Sequence, residues 1–178
     1  MTELSFGFRC GLAVQREVGR VLGIIWIIPI AWLMRFFMKY RIKDVKELRR
    51  RYRKLISETQ APILICPNHL TMADSAVIAW ALGGSWWYLF RYSRMPWNIP
   101  EYNNFSFLWF VGLGAWITKC IPVVRGGNRE DVSRVIKKID YLLRKGDTAL
   151  IFAEAGRSRT GKVQVDNHAQ AVGRIMTT

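Results

Sequence analysis

The chain is short of acidic residues, cysteine and histidine, and each shortage removes a class of function. Thirteen Asp and Glu stand against 27 Lys and Arg, a formal net charge of +14. That balance calls for a polyanionic partner, either nucleic acid or an anionic membrane surface. The three cysteines, Cys10, Cys66 and Cys120, are far apart and odd in number, so they suggest neither a disulfide framework nor a metal-ligand spacing. They are expected as reduced core thiols facing a cytosol, and no metal is expected. There are two histidines, His69 and His168, so imidazole chemistry has few candidates. No nucleic-acid module is recognisable. Where a cleavage site with small residues would follow the first apolar run, the chain has Arg35-Phe36-Phe37, which argues against a cleavable signal peptide.

Apolar and aromatic residues are plentiful. The apolar fraction is 51% with eight Trp, more than a core of this size needs, and this favours contact with lipid head groups over nucleic acid. A chain of 178 residues is one domain's worth. The uncharged run from Val21 to Met34 would span ~21 Å as a helix, short of a ~30 Å hydrocarbon core. Extension to Met38 with Arg35 snorkelling brings it to ~27 Å, and Pro29 is expected to kink it. A monotopic or re-entrant anchor is expected, with a buried core helix as the alternative. The following segment carries Lys39, Arg41, Lys43, Lys46, Arg49, Arg50, Arg51, Arg53 and Lys54. Beside an apolar anchor it reads as a binder of anionic lipid, or otherwise as a solvated helix face. Residues 1–58 are thus expected as a membrane-associating helical segment and 59–178 as an α/β domain.

The chemistry centres on Pro67-Asn68-His69-Leu70-Thr71-Met72-Ala73-Asp74, which follows the strand-like run Ala61–Cys66. In open α/β sheets ligands sit beyond the carboxyl ends of strands. A helix opening near Thr71 would let Asp74 bond the ring nitrogen of His69 that faces away from substrate. Such a histidine can take a proton from an alcohol attacking a carbonyl. A helix-capping loop with a polar His is the plainer reading.

Further along, Ser75–Leu82 reads as a helix stopped by Gly83-Gly84, Trp86–Phe90 as a strand by aromatic enrichment, and 91–104 as a loop. Phe105–Trp116 is apolar, either a buried helix or part of an acyl-chain groove. Ile117–Val124 is a short β-type run ending at Arg125. From Asn128 to Lys145 runs an amphipathic helix, with Asn128 as cap and Val132, Val135, Ile136, Ile139, Leu142 and Leu143 on one face. Thr148–Phe152 is the next buried strand. This alternation predicts an α/β fold: a mostly parallel twisted sheet flanked by helices, preceded by the apolar N-terminal segment.

Asn-His-x4-Asp after one strand and Phe152-Ala153-Glu154-Ala155-Gly156-Arg157-Ser158-Arg159 after another together resemble the glycerolipid acyltransferases, which acylate glycerol-3-phosphate and lysophosphatidic acid. The resemblance covers about residues 60 to 162. It implies His69 as base and Asp74 as its orienter, and Arg125, Glu154, Arg157 and Ser158 at the acceptor. It also implies no cofactor beyond the co-substrate, acyl-CoA or acyl carrier protein, and membrane lipids and a lyso-lipid acceptor as partners, with location at the cytoplasmic face of a membrane. Arg157 also has a physical reason to be arginine, since its planar fork matches a phosphate with two parallel bonds.

The second motif departs from the usual form, which has Pro after Phe and Gly-Thr between Glu and Arg. Here Ala153, Ala155 and Gly156 stand instead, changing the accessible backbone angles and removing a hydroxyl donor. A different lyso-lipid acceptor, such as a lyso-aminolipid, is therefore an alternative. A non-catalytic peripheral protein that binds anionic lipid is another. The chain also ends sooner than the resemblance leads one to expect, as for a fragment or a shortened member, and His168 is expected as a bystander.

Overall fold

The N-terminal apolar segment is helical but not straight. In the computed structural model, which describes residues 4–59, 61–71, 73–104, 108–124 and 126–152, α1 (Phe6–Val21) meets α2 (Gly23–Trp32) at a bend of 65°. The bend falls at Leu22, where Trp26 Nε1 donates to the Gly19 carbonyl at 3.0 Å, and not at Pro29, through which α2 runs unbroken. A π-helical turn, Leu33–Phe37, extends α2. Among the described residues no single helix is long and apolar enough to cross a membrane, and only the bent pair passes by length and composition. The alternative of a buried core helix is not met: Ile25, Trp32, Phe36 and Phe37 are all exposed.

α1 packs on the body through its small and polar residues. Gln15 is buried and donates to the carbonyls of Trp116 and Cys120 at 2.8 and 2.9 Å. Gly19 lies so close to Tyr92 and the Ile117 carbonyl that a methyl group would collide with both. A helix side chain is absent where two backbones must approach.

After α3 (Val45–Glu58), the body is built on three short strands, β1 (Ile63–Ile65), β2 (Trp97–Asn98) and β3 (Thr148–Leu150), in the order β1-β3-β2 and all parallel. β3, buried at every position, is central. Between strands lie α4 (Asp74–Leu82), α5 (Ser85–Phe90), α6 (Trp109–Ile117) and α7 (Arg129–Arg144). The α/β class is met in this mixture of helices around a small parallel sheet, though helix dominates it.

α7 forms as its pattern dictates. Asn128 caps it, its side chain accepting from the Glu130 amide at 2.9 Å, and Ile139, Leu142 and Leu143 bury their face against β3 and Trp97. The cap is worth about 1 kcal/mol, whereas each buried Ile or Leu contributes about 1.5–3 kcal/mol, so packing dominates. Gly146, at φ +82°, turns the chain into β3.

Several local expectations are corrected. Trp86–Phe90 is helical: Gly84, at φ +77°, reverses the chain after α4, and α5 then exposes Trp86 and Phe90 one turn apart while burying Tyr88. β2 lies inside the segment expected as loop, held because Trp97 is wholly buried in the core. Ile117–Val124 forms only isolated parallel bridges, at Cys120 and Val123. Of the apolar segment 105–116, residues 105–107 lie outside the described residues; α6 (Trp109–Ile117) is a helix with no buried residue, and Trp109 and Phe110 are exposed. Of the cysteines expected in the core, Cys120 is buried, whereas Cys10 and Cys66 are exposed because they fall on outward positions of α1 and at the end of β1.

Candidate active site

β1 and β3 pair in parallel, Ile65 opposite Leu150, with the Ile151 amide donating to the Ile65 carbonyl at 2.9 Å. Both strands therefore point their carboxyl ends at the same sheet edge. His69 and Phe152 meet there, their rings stacked with centroids 4.0 Å apart and planes 19° from parallel.

His69 Nδ1 lies 3.0 Å from Asp74 Oδ2, at the first turn of α4. The turn joining them wraps the carboxylate. The Leu70 and Thr71 amides donate to Oδ2, and the Thr71 hydroxyl donates to Oδ1. Burial opposes ionisation of Asp74, but the bonds from Thr71, Leu70 and His69 outweigh it and hold its carboxyl below the usual aspartate range. An ionised Asp74 can only accept, so His69 Nδ1 carries a proton, and in the neutral imidazole the lone pair is then on Nε2. Both side chains are mostly covered, at 13% and 15% exposure, and the remaining opening leaves the imidazole reachable. This arrangement is chemically a base whose tautomer and ring plane are both fixed.

Sequence reasoning placed His69 beside Asp74, and the structure brings them together. Arg125, Glu154, Arg157 and Ser158 lie outside the described residues, as does His168. Two contributors were missed. Phe152 stacks on the imidazole; its place in the second motif was the available signal. Thr71 braces Asp74, and the Thr-x-x-Asp spacing of 71–74 was a legible form of the reciprocal helix-start pattern.

Behind Asp74 an apolar cavity of about 250 Å³ opens between α2, α4 and α5. α4 contributes Ser75, Ala76 and Ala79, and Ile27, Met34 and Tyr88 close the other sides. The small side chains on α4 are what leave the space open. Among the described residues no group of His, Cys, Asp or Glu could hold a metal ion.

A parallel sheet thus sets an oriented histidine at a strand end, and its partner Asp74 adjoins Ser75 of the apolar cavity. The acyltransferase family model matches residues 39–177, and the chain belongs to that family, the PlsC-type glycerolipid acyltransferases. No curated protein and no solved structure matches it.

Proposed function

We propose that the protein is a membrane-bound O-acyltransferase of phospholipid biosynthesis that moves a fatty acyl group from acyl-CoA or acyl carrier protein to the hydroxyl of a lysophospholipid, such as 1-acylglycerol-3-phosphate. The observation that carries this reading is the His69–Asp74 pair, stacked on Phe152 at the common end of β1 and β3. His69 Nε2 takes the acceptor's hydroxyl proton as its oxygen attacks the thioester carbonyl. A C–O bond forms, the C–S bond breaks, and the imidazolium returns its proton to the leaving sulfur, so no acyl-enzyme forms. Asp74 stabilises the imidazolium, and such base catalysis is worth about 10²–10⁴-fold. The apolar cavity beginning at Ser75 suits the donor's acyl chain. Arg125, Glu154, Arg157 and Ser158 are assigned to the acceptor head group by family pattern. Membrane association is supported by the exposed apolar side chains of α2 and its π-helical turn.

The altered loop after Phe152 favours a second acceptor class, a lyso-aminolipid, because the usual threonine donor is replaced by Gly156. Both readings are tested by thioester consumption in membranes containing the protein, with palmitoyl-CoA and acyl carrier protein donors. Lyso-lipids with and without phosphate serve as acceptors and His69→Ala as control. Transfer that depends on His69 and requires a phosphate-bearing lyso-lipid is the expected result. Transfer confined to another acceptor moves the protein to the sister activity, and full activity of His69→Ala sinks the catalytic assignment.

A further inference from the structure

α3 sorts its cations in a way that catalysis does not explain. On the solvent side, Arg50 and Arg51 share Glu47 at 2.8 and 2.7 Å, and Lys54 meets Glu58 at 3.7 Å. On the other side, where the segment after the π-helical turn comes back past α3, Arg35, Arg41 and Arg49 line a cleft of about 400 Å³ with Tyr40 and Trp80. None of these three arginines has a carboxylate partner among the described residues.

Arg49 is half-buried and held by backbone. Its Nη2 donates to the Trp80 carbonyl at 2.8 Å and its Nε to the Ala81 carbonyl at 3.2 Å. Gly84 closes over the guanidinium so tightly that a methyl group there would press against it at 2.9 Å. Carbonyls orient the fork without neutralising it. Burial, and after it the neighbouring Arg53, pull this guanidinium below its usual range. Nη1 has no hydrogen-bond partner among the described residues. The result is an oriented donor in a cleft with two more guanidiniums, a geometry that suits a phosphate.

The π-helical turn that supplies Arg35 also supplies exposed Phe36 and Phe37, at 61% and 78% exposure, and Trp32 at the end of α2 is 60% exposed. A soluble anion would need only the cations. Aromatic side chains set directly beside uncompensated guanidiniums match a bilayer interface, where rings sit at head-group level and phosphates lie just above them.

We propose that this cleft binds the phosphate head group of an anionic membrane lipid, with Arg49, Arg41 and Arg35 as its donors and Phe36 and Phe37 seated among the lipid's neighbours. The cleft uses none of the residues assigned to the acceptor by family pattern, and its occupancy does not depend on acyl transfer. It also differs from diffuse attraction to the +14 charge, because it sets the cleft arginines apart from the cations of α3 that are paired with Glu47 and Glu58.

The test is flotation of the full-length chain with phosphatidylcholine vesicles, with and without phosphatidic acid, at physiological salt. Arg35→Gln/Arg41→Gln is compared with Arg51→Gln/Lys54→Gln, which removes the same charge from the paired side of α3. Arg49 is left intact because it also ties α3 to α4, and circular dichroism checks that both variants fold. The cleft variant is expected to lose about 30-fold in affinity for the anionic vesicles, while the control loses less than about threefold. Equal losses from both variants would overturn the site in favour of diffuse attraction. Inorganic phosphate or glycerol-3-phosphate that binds the lipid-free chain through the same two arginines, and displaces it from vesicles at millimolar concentration, would overturn it in favour of a soluble anion.

Discussion

The His69 imidazole lies flat on the Phe152 ring, 4.0 Å between centroids, while its Nδ1 is tied to Asp74. The first contact fixes the plane of the ring and the second its rotation and tautomer, so Nε2 has one direction in which to act. A misplacement of about 1 Å in such a group can cost ~10²-fold in rate. Phe152→Ala is therefore expected to lower kcat by about 10–100-fold with little change in donor KM, and Phe152→Tyr to retain most activity. Steady-state kinetics on membranes would read this directly; an unchanged kcat in Phe152→Ala would remove the ring from the mechanism.

Asp74→Asn keeps the shape but donates where Asp74 accepts, so it turns the imidazole to the wrong tautomer. The expected loss in kcat is at least ~10²-fold. The same carboxylate also braces the turn from Leu70 to Asp74. Its folded-state pKa lies below its unfolded value, so its stabilising contribution is complete above the ordinary aspartate value of about 3.9 and fades as pH falls through the lower folded value. Urea unfolding at a series of pH values should show wild type and Asp74→Asn differing most near neutrality and converging in acid. A gap that widens in acid would contradict the assignment.

Lys119 is wholly buried at φ +61°. Its ammonium donates to the Met95 and Tyr92 carbonyls at 2.7 and 3.2 Å and faces Asp147 at 3.5 Å. Asp147 also meets Arg16 of α1 at 3.5 Å. Desolvation pulls the Lys119 ammonium down to about 8, against the opposing pull of Asp147. Lys119→Met leaves the buried Asp147 carboxylate with Arg16 alone and should destabilise by about 3 kcal/mol. Adding Asp147→Asn should recover part of that loss in a double-mutant cycle; strict additivity would mean the pair is not coupled. With the ammonium depressed in the folded state, stability should rise as pH goes from about 8 towards the unfolded lysine value of about 10.4, and Lys119→Met should flatten that rise.

Two glycines of α1 should respond oppositely to alanine. A methyl at Gly19 collides with Tyr92 and the Ile117 carbonyl, while Gly11 has open space around it. Gly19→Ala is expected to destabilise by about 1–3 kcal/mol, and Gly11→Ala to stabilise by about 0.5–1 kcal/mol through helix propensity. Chemical denaturation midpoints distinguish the two; equal shifts would mean that α1 is not packed closely at Gly19.

Arg157, assigned to an acceptor phosphate by family pattern, should behave as a binding residue. Arg157→Lys is expected to raise acceptor KM more than it lowers kcat, because a grip present in ground and transition states alike is lost. A collapsed kcat at unchanged KM would give it another role.

Much of the fold was determined locally and could be read from residue order. The α7 face, its Asn128 cap, the apolar run into β3 and the His69–Asp74 spacing all depend on neighbours within a turn or two of the chain, so period and spacing suffice. Aromatic content misled at Trp86–Phe90, because Gly84 and the burial of Tyr88 decide its conformation, and both act through contacts with other segments. Only the parallel pairing of β1 with β3 brings His69 onto Phe152. Likewise, only the packing of α3 on α4 separates Arg49, which meets carbonyls, from Arg50 and Arg51, which meet Glu47. Spacing encodes which groups are present; register and packing, which sum many weak contacts between distant segments, decide which of them face one another.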